Sequence, residues 1–252
     1  MTAILITLLA SLLGSVAQTT IGFGIALFLS PVMFLLLEPE EAVLCTLTAA
    51  TALSVLVLVG ERDRLALDRR ASLGLLVPMV PGVLLGAALL ALVNKAYLQI
   101  AVGIVVLGFV AAQERTGRRP ADPRRELGFR ISAIPAGFSA GALNGAVATG
   151  GPPVAIWLRS VGAGPNQMRH TLAVVFVAMN LLTIVVVVAL DSPRISGEWG
   201  RALAGALVGV PIGYAVGGRV LERIARETFE RAVVIAITAI ALLSAATGLG
   251  NL

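Results

Sequence analysis

Gly141-Ala142-Leu143-Asn144-Gly145-Ala146-Val147-Ala148-Thr149-Gly150-Gly151-Pro152-Pro153 sits inside an apolar stretch, Leu127 to Leu158, that does not fit one membrane crossing. A helix needs roughly 20 residues, rising 1.5 Å each, to cross about 30 Å of hydrocarbon. This stretch is too long for one crossing and too short for two full ones with a turn. The double glycine interrupts it, and the two prolines cannot sit inside a continuing helix but suit the first turn of a new one. The reading is a broken hairpin. Ala3 to Leu37 has the same character, broken by Gly22-Phe23-Gly24.

Working outward, single spans are expected at Glu41 to Val59, Ala71 to Val93, Leu98 to Gln113, Thr171 to Leu190, Arg201 to Gly218 and Ala232 to Leu249. Composition agrees with a membrane solvent. Charged residues make up 13% and apolar ones 58%, against about 25% and 45 to 50% in soluble domains, and mean hydropathy is +0.95. The fold class predicted is an all-α polytopic membrane protein. Met1 to Ala17 loosely resembles a cleavable signal, but no positive region precedes it, so it is read as structure. No soluble domain is expected at either end.

The 19 Lys and Arg residues give the orientation. Four lie in Glu61 to Arg70, six in Gln113 to Arg130, two in Arg159 to His170 and four in Arg219 to Arg231; only Lys95, Arg194 and Arg201 lie elsewhere. Retaining the four basic groups in the cytoplasm places both termini outside, periplasmic or extracellular. It also requires both long stretches to return to the side they entered, as hairpins do. With a pI near 10.6, nucleic acid is the competing explanation for the basic residues. They lie between apolar runs without an aromatic stacking platform, and nucleic acid is not an expected partner.

The two halves look like copies. Gly14 to Gly24 lines up with Gly141 to Gly151 at an offset of 127, and Val80-Pro81-Gly82 with Gly86 matches Val210-Pro211 with Gly213 and Gly217. The organisation expected is a first membrane repeat over 1–113, a cytoplasmic linker over 114–126 and a second, inverted repeat over 127–252. Each repeat is a hairpin plus three spans. In inverted-repeat transporters, broken helices line the substrate cavity near the bilayer midplane. Gly82, Gly86, Gly213 and Gly217 are read instead as close-packing positions.

The candidate substrate site is therefore built from the two breaks. The first offers Gln18, Thr19, Thr20, Gly22 and Gly24; the second Asn144, Gly145, Thr149, Gly150 and Gly151. These groups donate hydrogen bonds, and a helix starting at Pro152 would set the positive end of its dipole beside Thr149 to Gly151, an anion-binding arrangement. Asn180 needs a partner inside a span and divides between site lining and helix glue. Arg159 and Arg169 are candidates for an anion entrance, against snorkelling to the cytoplasm. His170 is read as a capping or interfacial residue.

What is missing also informs. No Asp or Glu is expected in a span interior, where a carboxylate costs at least about 2.5 to 3.5 kcal/mol and is kept to carry a cation or proton. One His and one Cys, Cys45, leave no basis for a catalytic cluster, a disulfide or a metal site. Cys45 is expected to be a small core residue. No phosphate-binding loop or other cofactor motif is present, so no cofactor, no ATP drive and no enzyme activity are expected.

The Gly141 to Pro153 run, followed by Arg169-His170-Thr171-Leu172 and Asn180, resembles the second-half signature of the sulfite exporter TauE/SafE family of membrane anion permeases. Gly14 through Gly24 and on to Cys45-Thr46 is similar to the first-half pattern, with its glycine-rich stretch reduced to Gly22-Phe23-Gly24. The resemblance covers nearly the whole chain. It implies two inverted repeats and a small anionic substrate containing sulfur or a carboxylate, such as sulfite or an organosulfonate. The function expected is a secondary transporter working by alternating access in the bacterial inner membrane. An anion channel and a non-transporting receptor or assembly subunit are the alternatives. The expected partners are the anion and the lipid bilayer; direction, coupling ion and the existence of a homo-oligomer stay open.

Overall fold

The computed structural model describes residues 2–116, 126–190, 195–223, 235, 238–240, 242–243 and 246–250. Nine helices order its main part: α1 Thr2–Ile21, α2 Ile25–Leu36, α3 Pro39–Gly60, α4 Arg69–Leu92, α5 Lys95–Thr116, α6 Glu126–Val147, α7 Gly151–Ser160, α8 Pro165–Leu190 and α9 Gly197–Arg223. A single 3-10 turn, Arg62–Arg64, joins α3 to α4, and no strand occurs among the described residues. Five helices (α1, α3, α4, α8 and α9) are long and apolar enough to cross a bilayer. The protein is an all-α polytopic membrane protein. The expected span Ala232 to Leu249, the basic loop around residues 117–125, and Arg194, Arg226 and Arg231 fall wholly or mostly outside the described residues.

Both long stretches break where the glycines are, into limbs of unequal length. α1 has 20 residues and α2 has 12; α6 has 22 and α7 has 10. At 1.5 Å per residue the second limbs reach only about 18 Å and 15 Å, half-helices beside full ones. α2 is apolar on all sides and correspondingly central, with Leu27, Phe28, Leu29, Met33 and Phe34 buried. Outward-facing residues of α4 and α8, such as Leu73, Val77, Leu84, Leu181 and Val185, are exposed hydrophobics of the kind lipid covers.

Two seams of small residues set the frame. Gly82 and Gly86 of α4 lie against the backbone of Phe138 and Ala142, while Gly137, Gly141 and Gly145 of α6 lie against Leu75, Met79 and Val83. The order ascends on both helices, so α4 and α6 run parallel. In the other seam Gly205, Gly209, Gly213 and Gly217 of α9 meet Ile4, Leu8, Leu12 and Val16 of α1, again in parallel. A side chain at these glycines would overlap backbone atoms across the seam. The packing reading of Gly82 and Gly213 is what the structure has. α1 is part of this core, its Ser11 hydroxyl donating to the Ala206 carbonyl at 2.6 Å.

The termini of the helices differ from expectation in one place. Residues 159 to 170 are not a loop: α7 runs to Ser160, and α8 begins at Pro165, ahead of Thr171, leaving only 161–164 as the turn. Pro165 supplies a pre-set φ for a first helical turn, and Gly162 supplies the positive φ of 80° that reverses the chain before it. The ends of the bundle are each tied together. At one end Lys95 pairs with Glu38 at 3.3 Å and the buried Glu41 accepts from the Ser196 backbone and hydroxyl. At the other, Asp68 caps α4 by accepting from Ala71 N–H at 2.8 Å, and its own N–H donates to Thr171 Oγ1 at 3.2 Å.

Candidate functional site

The two breaks are made in the same way. α1 ends with Gly22 N–H donating to the Gln18 carbonyl at 2.8 Å, and α6 ends with Ala148 N–H donating to the Asn144 carbonyl at 3.0 Å. Gly22 has φ 99° and Ala148 φ 56°, so each is the left-handed residue that closes a helix C-terminus with a bond to the fourth residue back, joined at the end of α6 by Thr149 N–H donating to the Leu143 carbonyl at 3.3 Å. Ala148 bears a Cβ there and pays about 1 to 2 kcal/mol for the conformation. The equivalence pairs Gln18 with Asn144, Gly24 with Gly150 and the start of α2 with the start of α7. That is a spacing of 126 residues, one less than glycine matching gives.

Each amide so placed reaches the next long helix. Gln18 Nε2 donates to Ser54 Oγ of α3 at 3.4 Å, and its Oε1 accepts from Ile25 N–H at 3.4 Å. Asn144 Nδ2 donates to Asn180 Oδ1 at 3.2 Å and to Thr183 Oγ1 at 2.9 Å, both on α8. All three amides are buried, Gln18 at 4%, Asn144 at 2% and Asn180 at 3% exposure. Their polar contacts are what a buried amide requires.

Between the breaks lies a small cleft. Gln18, Gly24, Asn144, Gly150, Gly151 and Asn180 line it, with Phe23, Phe176 and Met179 as its apolar wall. The half-helices begin there: α2 after Gly24 and α7 after Gly150, the latter with proline in its first turn. The positive ends of two helix dipoles thus face one cavity, with Pro152 and Pro153 contributing no N–H to the first turn of α7 and Ile25 N–H at the start of α2 already given to Gln18 Oε1. Among the described residues, no charged side chain lines the cleft. The breaks touch, since a Cβ on Gly151 would stand 3.7 Å from Phe23 Cβ and 3.3 Å from the Phe176 ring. Ser30 Oγ of α2 also donates to the Val147 carbonyl at the end of α6, at 2.7 Å.

The remaining candidates lie off the cleft. Thr19 and Thr20 hydroxyls donate to their own helix, to Ser15 at 2.8 Å and Val16 at 2.9 Å, as Thr in a helix commonly does. Gly22 packs on Arg169 and Leu172, and Gly145 lies in the α4 seam. Thr149 is fully buried and its hydroxyl has no hydrogen-bond partner. Arg159 lies in the last turn of α7, half-buried and off the cleft. Arg169 pairs with Glu61 and donates from Nη1 to the Thr19 carbonyl at 3.0 Å.

His170 is not interfacial. It is 1% exposed, with Nδ1 accepting from Ala66 N–H at 3.0 Å and Nε2 at 2.8 Å from Glu61 Oε2. The aromatic and thioether wall is not legible in the sequence, because Phe and Met in a membrane helix carry no periodic signal of their own. Glu61 was also missed as a half-buried partner; its position immediately after the last residue of α3, Gly60, is the one available hint.

Neither a curated protein nor a solved structure matches the chain significantly. The family described as sulfite exporter TauE/SafE matches residues 7–244, nearly the full length, and the chain belongs to that family of membrane transporters.

Proposed function

We propose that the protein is a secondary carrier of a small anion, with the cleft between the two breaks as its binding site. One observation carries this reading: two half-helix N-termini and three buried amides converge on a cavity that holds no side-chain charge. Such a site supplies positive potential to an anion at little desolvation cost, and offers a cation no side-chain charge. Its apolar wall suits an anion with a small organic part. Within the family's scope, sulfite or an organosulfonate such as sulfoacetate is the substrate class.

We further read the halves as inverted repeats, 1–113 and 127–252, that rock against each other for alternating access. Supporting this are the shared C-cap geometry, the matched Gln18 to Ser54 and Asn144 to Asn180 contacts at one spacing, and the exchanged seams of α1 with α9 and α4 with α6. The setting is a bacterial inner membrane with both termini outside.

Purified protein in liposomes tests the carrier reading. Labelled sulfite or sulfoacetate should enter faster when unlabelled substrate waits inside, because a carrier exchanges. Gly151→Val should fold yet abolish exchange, since the added branches fill the gap between Phe23 and Phe176. Flux indifferent to internal substrate would make the protein a channel, and no flux with either anion would make it a receptor or assembly subunit.

A further inference from the structure

Away from the cleft, the end of the bundle that carries the α3 to α4 loop holds a second polar site. An open cavity there is lined by Gly60, Glu61, Asp63, Arg64, Asn166, Arg169 and His170. His170 forms its inner wall. The imidazole has a fixed tautomer: a backbone N–H can only donate, so the Ala66 contact makes Nδ1 an acceptor without a proton. Nε2 then carries the hydrogen and donates it to Glu61. Glu61 simultaneously receives Arg169, whose other branch holds the Thr19 carbonyl in the last turn of α1, beside the Gly22 break.

We propose that His170 is a proton-binding site whose occupation unlatches the α3 to α4 loop from α8 and so opens this side of the carrier. A proton entering from the cavity adds to Nδ1, the ring becomes an imidazolium with two N–H donors, and no other bond is made or broken covalently. Nδ1–H then faces the Ala66 N–H, donor against donor. The loop then leaves, because donor opposed to donor loses the bond and gains repulsion, while Ala66, on an exposed part of the loop, can turn its N–H to water. Nε2–H keeps its contact with Glu61, now as an ion pair, and competes with Arg169 for that carboxylate. Arg169 is thereby eased from Glu61 while still attached to α1, which connects the protonation event to the first break.

The charged and titratable groups around the ring come from every neighbouring element. Glu61 faces it from the end of α3, Asp63 and Arg64 from the 3-10 turn, and Arg169 from α8 itself. Asp68, at the start of α4, accepts from Gln167 Nε2 at 3.4 Å and holds Thr171 Oγ1 through its N–H. Tyr214 of α9 lies against Gly60.

The inference rests on the carrier reading, but its test does not need a substrate. In a Cys45→Ser background, spin labels at Leu67→Cys and Ser160→Cys report the distance between loop and bundle. A longer-distance population should grow severalfold as pH falls from about 8 to about 5. His170→Asn keeps an acceptor for the Ala66 N–H and cannot take the proton, so the short distance should persist at every pH. Ala66→Pro removes the N–H, and Leu65 already has the extended φ −62° and ψ 116° that a residue before proline adopts; this variant should show the long distance at every pH. A parent distance that ignores pH, or a pH response that survives in His170→Asn, overturns the proposal. A parent that shows the response but never carries sulfite or sulfoacetate defeats the carrier reading and leaves the proton site standing.

Discussion

Asn144 concentrates the argument at the residue scale. Its Nδ2 is directed to Asn180 and Thr183, so it both lines the cleft and fixes the second amide beside it. Asn144→Asp keeps the shape, and Asn180 can turn its own Nδ2 toward the new carboxylate. The fold should therefore survive, while a negative charge at a position 2% exposed now repels the ligand. Titration calorimetry of the folded variant with sulfite or sulfoacetate should show affinity reduced at least about tenfold, roughly 1.4 kcal/mol. Binding as tight as the parent's would remove Asn144 from the site. The prominence of Gln18, Asn144 and Asn180 was legible in the sequence, because an amide in an apolar run needs a partner. Which partner was not legible. Thr183 lies 39 residues from Asn144, and Glu61 lies 109 residues from His170, so each pairing exists only once the helices have packed.

Elements were legible to different degrees for a physical reason. Two broken hairpins follow from stretch length and from glycine and proline chemistry, which act locally. The unequal limbs do not, since where a half-helix ends depends on what it packs against; α2 is buried on all sides by other elements. The repeat offset was misread by one residue because glycines were matched to glycines. The cap geometry equates Gly22 with Ala148, where an alanine occupies a position that favours glycine. The seams offer a direct comparison of neighbours on one helix. A Cβ on Gly217 would stand 2.8 Å from Thr19 Cβ, whereas one on Gly218 meets nothing within 4 Å. Gly217→Ala should lower stability by about 1 to 3 kcal/mol through overpacking, seen as a lower melting temperature and a smaller monodisperse yield. Gly218→Ala should leave both unchanged. Equal behaviour of the two variants would mean that α1 and α9 do not meet as described.

For the whole molecule, the packing fixes which ends of the helices lie together, and the proposed orientation rests on how positive charge divides between those ends. Glu38, Lys95, Glu41 and Ser196 gather at one end, Glu61, Asp68, Arg169 and His170 at the other. The second end carries Arg62, Arg64, Arg69 and Arg70 on one short connection, the density of positive charge that keeps a loop in the cytoplasm. Parallel α1 and α9 place residue 2 level with the start of α9, at the opposite end. If the bundle spans the bilayer as read, Asp63→Cys in a Cys45→Ser background should resist a membrane-impermeant maleimide applied to intact cells and react after permeabilisation. Tyr97→Cys, exposed at the start of α5, should react without permeabilisation. The two positions are 34 residues apart in sequence and separated by a single crossing, α4. Reversed labelling of both would invert the protein and put the His170 site on the outer face. Labelling of both from outside would deny that α4 crosses the membrane, and with it the parallel α4 and α6 frame that holds the cleft.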